Sequence, residues 1–209
     1  MVSLLIVADD FTGALDTGVQ FAAHGASTQV VTDLDRDFSR DEAQVLVLDA
    51  ETRHLAPEAA YAAVHRAVSA ALRAGVPYIY KKTDSGLRGN VGSELAAAMD
   101  AAGVQSLPFV PAFPSMGRIT RDGVQYVDGL PLDQSVFGRD PFEPVRFSRI
   151  GDVIAQQTSK AVFVRRPGEP GTGQGIQVYD AATDEDLKLT ARALGPEGLR
   201  LSAGCAGFA

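Results

Sequence analysis

Short β-branched runs alternate along this chain with stretches whose apolar residues recur at helical spacing. "SLLIVA" (3–8), "STQVVT" (27–32) and "AQVLVLD" (43–49) read as strands, and a helix is expected from about Thr12 to His24. From Pro57 to Ala74, apolar residues Ala60, Val64, Ala67, Val68 and Ala71 form one stripe. Pro57 suits the first turn of that helix and Gly75 its C-terminal stop. "VPYIYKK" (76–82) is the next strand. "NVGSELAAAMDAAG" (90–103) repeats the stripe at Val91, Leu95, Ala98, Met99 and Ala102, with Asn90 as its expected cap. "QSLPFVPAF" (105–113) closes this part as a strand.

Between 114 and 147 the rhythm breaks. An Asp122-Gly123 pair between two short polar–apolar runs predicts a β-hairpin, and "FGRDPFEPVRFS" reads as an ordered, Pro-rich excursion. The alternation then resumes with strands "AVFVRR" (161–166) and "GIQVYD" (175–180), a helix from about Thr183 to Leu194, and a strand "LRLSAG" (199–204). "RRPGEPGTGQG" reads as a flexible turn. Together these elements predict an α/β fold: a mostly parallel sheet covered by helices in a Rossmann-like three-layer arrangement, with the hairpin and loop excursion near 114–147.

Composition changes this picture little. With 209 residues, 45% hydrophobic and 22% charged, the chain can bury a substantial core. A net charge of −7 argues against nucleic acid or an anionic membrane as partner, since both require a basic surface. A single cysteine, Cys205, excludes an internal disulfide and a cysteine-based zinc site, and its small neighbours suggest a buried structural residue. The three histidines share no metal-ligand spacing, so no metal site is expected; His24 and His65 fall on helix surfaces. "MVSLLIVADD" lacks a basic lead and breaks at Asp9, too short for a signal or a membrane span, so a cytoplasmic location is the default expectation.

In open α/β sheets ligands bind beyond the carboxyl ends of strands. Three such ends here carry chemistry: Asp9-Asp10-Phe11-Thr12-Gly13, "KKTDSGLRGN" (81–90) and "PAFPSMGR" (111–118). The second sets Lys81, Lys82 and Arg88 around Asp84 and Ser85 and runs into a helix N-terminus, a combination suited to a carboxylate or phosphate. Arg118 is expected to converge on it, and the alternative is that the lysines are solvated strand-end charges. The first end looks like its opposite, acceptors without nearby cations. Asp9 and Asp10 are adjacent on extended chain and must point to opposite sides, so one faces the cleft while the other caps the helix or bonds to backbone. Asp16 could share that cleft. A carboxylate there grips hydroxyls or accepts a hydroxyl proton. Both ends together describe a small ligand with an anionic end and several hydroxyls, a sugar acid.

"ADDFTGALDTG", "YKKTDSGLRGNVGSEL", "PAFPSMGRITRDGVQYVDGLPL" and "FGRDPFEPV" resemble the successive signatures of the four-carbon acid sugar kinases, long known only as a domain of unknown function. The closing "LSAGCAGFA" is similar to the end of that family's first domain. The resemblance implies that residues 1–209 form an N-terminal sugar-acid-binding domain. Its partner would be a C-terminal nucleotide-binding domain, absent from this chain, that holds most of the ATP and Mg. The implied reaction is ATP-dependent phosphorylation of threonate, erythronate or 3-oxo-tetronate. The implied substrate-binding residues are Asp9, Asp10, Asp84, Ser85, Arg88, Asn90 and Arg118. Arg88 would anchor the carboxylate, Asp10 and Asp84 would hold hydroxyls, and one of these two would act as the catalytic base. No G-x-x-x-x-G-K-[ST] loop occurs, so the chain alone is expected to bind without turnover. Two rivals stand beside this reading. One is a stand-alone sugar-acid-binding or regulatory module. The other is a phosphatase resembling the haloacid dehalogenases, whose D-x-D-x-T motif separates the two acids that are contiguous here. Oligomeric state is left open, a homo-oligomer included.

Overall fold

The structure, a computed structural model, describes residues 2–141, 143–171 and 173–209. Phe142, inside the "FGRDPFEPV" signature, and Thr172, inside the glycine-rich turn, lie outside the described residues.

The expected three-layer α/β fold is what the chain forms. In chain order the main elements are β1 (Leu4–Ala8), α1 (Phe11–Ala23), β2 (Thr28–Val31), β3 (Val45–Asp49), α2 (Pro57–Arg73), β4 (Tyr78–Lys82), α3 (Val91–Ala102) and β5 (Ser106–Val110). After them come β6 (Arg118–Arg121), β7 (Val124–Val127), β8 (Leu130–Pro131), α4 (Ile150–Ala155), β9 (Val162–Arg165), β10 (Gly175–Tyr179), α5 (Asp184–Gly198) and β11 (Leu201–Gly204). Eight strands make one all-parallel sheet in the order β2-β3-β1-β4-β11-β5-β10-β9. The continuous apolar runs of β1 and β3 follow from burial on both faces.

Side chains of successive strand residues alternate between the two faces. On one face Ile6, Ala8, Val47 and Tyr80 pack with Ala14 of α1, and Val110 and Tyr179 pack with Leu187 and Leu194 of α5. On the other, Leu5, Val7, Leu46, Leu48, Phe109 and Val178 share a core with α2, α3 and α4. Helix α3 is buried from Val91 to Met99, wedged between the sheet, α2 and α4. Its stop is Gly103 in the left-handed conformation (φ 65°), as a C-cap glycine permits. The Asn90 side chain does not cap it; the reason lies in the site below.

Register fixes where the site forms. Ala8 pairs with both Asp49 and Lys82, and Gly204 pairs with both Lys82 and Val110. The carboxyl ends of β1, β3, β4, β5 and β11 are therefore level. Chain leaving β1 enters α1 on one face, and chain leaving β4 enters α3 on the other. A crevice opens between these neighbours. The excursion covers this edge. Strands β6, β7 and β8 form a small antiparallel sheet, and Asp122 and Gly123 both have positive φ, as a type I′ turn requires.

Candidate functional site

Asp10 has an extended backbone and caps α1, its Oδ1 accepting from Gly13 N–H at 2.9 Å. Its Oδ2 accepts from Arg53 at 2.7 Å. Asp9 is buried, and its Oδ2 accepts from Arg53 Nε at 2.8 Å, so both adjacent acids meet one guanidinium. The same guanidinium lies 3.6 Å from Asp84. The acids after β1 are thus not free of cations, as the sequence suggested: Arg53, on the loop leaving β3, joins all three. Burial works against its charge, but Asp9, Asp84 and Asp10 together raise its pKa.

Asp84 is the hub of the segment after β4. Arg88 donates Nε to Oδ2 at 2.7 Å and Nη2 to Oδ1 at 3.1 Å, a two-pronged pair within one turn of chain. Burial by itself would raise the Asp84 pKa; the bonds from Arg88 and the charge of Arg53 outweigh it and hold the carboxyl below its ordinary value. The Phe137 ring, delivered by the excursion, lies 4.9 Å from the Arg88 guanidinium and 5.9 Å from that of Arg118. Gly86 makes room for that ring, since a Cβ there would fall 2.7 Å from it.

Neither lysine is a solvated strand-end charge. Lys81 is fully buried on the α3 side, 2.9 Å from Glu94 and donating to the Lys82 carbonyl at 2.5 Å. Burial raises the Glu94 pKa against the pull of that ammonium. Lys82 turns to the α1 side and lies beneath Gly13.

A cleft of about 240 Å³ opens at this edge, lined by Asp10, Thr12, Gly13, Asp16, Arg53, Lys82, Asp84, Ser85, Arg88, Phe113, Met116, Arg118, Phe137, Cys205 and Ala206. Of the seven residues expected at the ligand, Asp10, Asp84, Ser85, Arg88 and Arg118 come together here. Asp9 and Asn90 do not. Asp9 is beneath the cleft, bound to Arg53. Asn90 is buried, its amide donating to the carbonyls of Thr52 and Leu55 at 2.8 and 2.9 Å, while Gln157 donates to its Oδ1 at 3.2 Å. Its side chain holds the Arg53 loop in place, and so cannot cap α3. Gly89, with φ +82°, lets that loop approach, since a Cβ there would meet Arg53 Cγ at 2.9 Å. Gln125 of β7, wholly buried, accepts from Thr120 at 2.7 Å and donates to the carbonyls of Ser85 and Pro111 at 3.2 and 3.3 Å. It fastens the hairpin to two of the three site loops.

Arg53, Gln125 and Phe137 were not picked out in the sequence, and Lys82 was named only as one of the cationic cluster around Asp84. Lys82 stood in a motif but its direction was not evident; the other three have no local signature. Cys205 is buried, donates Sγ–H to the Ala112 carbonyl at 3.1 Å, and burial pushes its pKa up to about 11, so it is a neutral structural thiol. Among the described residues no group of His, Cys, Asp or Glu is arranged to hold a metal ion, and no helix is long and apolar enough to cross a membrane. Asp9, buried against Arg53, has no exposed oxygen to serve as a phosphatase nucleophile.

A small polar cleft at the carboxyl edge of a parallel sheet, with carboxylates and cations facing one another, defines an α/β protein that binds small polar ligands. The model of the sugar-binding N-terminal domain family matches residues 4–209, and the chain belongs to that family. It is 38% identical over 223 residues to a D-threonate kinase of Salmonella typhimurium, covering 100% of this chain and 52% of that one. It is 35% identical over 221 residues to a D-erythronate kinase of Heliobacterium modesticaldum, covering 97% and 50%. A Bordetella bronchiseptica protein, solved as a domain-swapped dimer with bound citrate, superposes with a TM-score of 0.88 at 35% identity, covering 100% of this chain and 56% of that one. The chain spans about half the length of the curated relatives it matches.

Proposed function

We propose that this chain is the sugar-acid-binding half of an ATP-dependent kinase that phosphorylates a four-carbon acid such as threonate, erythronate or 3-oxo-tetronate. The observation that carries the reading is the convergence, in one small cleft, of two carboxylates able to grip hydroxyls with cations able to draw an acid. The kinase names of the relatives and the citrate held by the Bordetella protein support it. A volume of about 240 Å³ lies below the roughly 300–1,000 Å³ of pockets for drug-sized ligands and suits a short acid better than a nucleotide.

In this reading Asp10 and Asp84 accept hydrogen bonds from substrate hydroxyls, Ser85 adds a donor and acceptor, and Arg118 keeps the rim positive. One of the two acids accepts the proton of the reacting hydroxyl. Asp84 is held acidic by its arginine partners, which makes it a weak base. Phosphoryl transfer depends chiefly on positioning and charge stabilisation, so a weak base suffices. Asp9, Asp10 and Asp84 are each bonded by an arginine and leave no set of free carboxylates for Mg. ATP and its metal belong, in this proposal, to the second half found in the longer relatives.

The test is a calorimetric titration of the chain with D-threonate, D-erythronate, 3-oxo-tetronate and the uncharged four-carbon polyols. Saturable binding of at least one acid, at least tenfold tighter than its polyol, is expected. A chain that binds none of the acids does not have this function.

A further inference from the structure

The cations around the cleft are not equivalent. Arg53 is bonded to Asp9 and Asp10, and Arg88 to Asp84, before any ligand arrives. Lys82 is different. Its side chain is only 6% exposed, and no hydrogen bond reaches its Nζ among the described residues. The closest carboxylate oxygen, Oδ1 of Asp9, stands 4.0 Å away, beyond hydrogen-bonding reach, and is itself without a partner. An ammonium group has three protons to donate, and burying it without acceptors is costly.

The direction of this side chain is equally specific. A Cβ on Gly13 would lie 2.4 Å from Lys82 Nζ and 2.6 Å from Asp10 Oδ1, so the first turn of α1 is open where these two groups meet the cleft. Lys81, one residue earlier, shows what a structural lysine looks like in this fold: fully buried, paired with Glu94 and bonded to a carbonyl. Lys82 has the burial of its neighbour without a hydrogen bond, and its one ion pair, to Asp9, is stretched to 4.0 Å.

We propose that Lys82 is the carboxylate anchor of the ligand, its Nζ donating to an oxygen of the acid, with Arg118 assisting from the rim. This rests on the sugar-acid reading and changes it at one point: Arg88 serves to orient Asp84, and the full counter-charge for the acid comes from the floor of the cleft. A carboxylate supplies the acceptors that the buried ammonium lacks and a charge closer than Asp9 Oδ1 at 4.0 Å; a hydroxyl supplies only the first. Replacing Gly13 by alanine would close the space above Nζ.

The experiment compares wild type with Lys82→Met in two measurements. The first is thermal unfolding without ligand. Removing a buried ammonium that has no hydrogen bond and only a 4.0 Å ion pair is expected to leave Tm unchanged or higher; a fall of several degrees would make Lys82 structural, as Lys81 is, and overturn the proposal. The second is calorimetry with four-carbon acids, citrate and the matching polyols. Lys82→Met is expected to weaken every acid that wild type binds by at least tenfold and to leave polyol binding within about twofold. Equal loss for acids and polyols would place Lys82 on a hydroxyl, and no loss would take it off the ligand; either overturns the proposal. If wild type binds citrate through Lys82 but no four-carbon acid, the anchor stands while the sugar-acid kinase reading falls. If wild type binds no carboxylate at all, both fall.

Discussion

Asp84 shows how much of the site is decided by pairings between single residues. Its carboxylate is oriented by Arg88 four residues on and approached by Arg53 from another loop. The local partner could be anticipated from "KKTDSGLRGN", because a carboxylate and a guanidinium at that spacing in a turn can meet. Arg53 could not: it lies 44 residues from Asp9 and follows a strand whose place beside β1 only the folded sheet defines. The same holds for Asn90, whose position before a helix suggested a cap, while the loop carbonyls of Thr52 and Leu55 claim its amide. Asp84→Asn should cost about 3 kcal/mol of stability at neutral pH, since it leaves the buried Arg53 and the half-buried Arg88 without the charge they face. The folded-state pKa of Asp84 lies below its ordinary 3.8, so its contribution is fully present above the unfolded value and is lost as pH falls through the folded one. Thermal unfolding from pH 7 to pH 2.5 should therefore show a constant gap between wild type and variant above about pH 5 that narrows below about pH 4. A gap independent of pH would mean that the Asp84 charge does not stabilise the fold.

At the scale of elements, strands and long helices were legible because burial imposes a period on them. The α2 and α3 stripes and the β-branched runs of β1, β3 and β4 each gave the element within a few residues. Two short elements were not anticipated: α4, six residues long and too brief to show a period, and the two-residue β8. The hairpin was legible from Asp122-Gly123, but its purpose was not, because Gln125 reads as an ordinary polar strand residue. Its amide is buried only because β7 lies against the loops after β4 and β5. Gln125→Leu should keep the volume while leaving Thr120 Oγ1 and two carbonyls without their partner, at a cost of about 2 kcal/mol. Since Ser85 and the segment carrying Phe137 are held through this hairpin, binding of the four-carbon acid should weaken several-fold as well. Chemical denaturation and calorimetry on the same variant check both. Lost stability with undiminished affinity would show that the hairpin supports the fold without shaping the cleft.

Over the whole molecule, the level strand ends gather the proposed acid-binding groups at one edge of the sheet. Asp10, Lys82, Asp84 and Phe137 all line one cleft and come from strand ends and loops of this fold, so in the proposed reading the acid needs no group from outside it. What transfer requires besides the acid is a nucleotide with its phosphates in line with the reacting hydroxyl and the charge on them stabilised. The chain has no phosphate-binding loop of the G-x-x-x-x-G-K-[ST] type, and among the described residues no group of His, Cys, Asp or Glu is arranged for a metal. The cleft mouth, rimmed by exposed Met116 and half-buried Arg118, opens towards solvent, where a second domain could bring a phosphoryl donor. The isolated 209-residue chain should therefore bind a four-carbon acid and show no acid-dependent release of ADP from ATP in a coupled assay. Adding the C-terminal half of the Salmonella D-threonate kinase as a separate polypeptide should restore measurable turnover if the two surfaces match. Turnover by the isolated chain would place the nucleotide site within these residues and refute this division of labour.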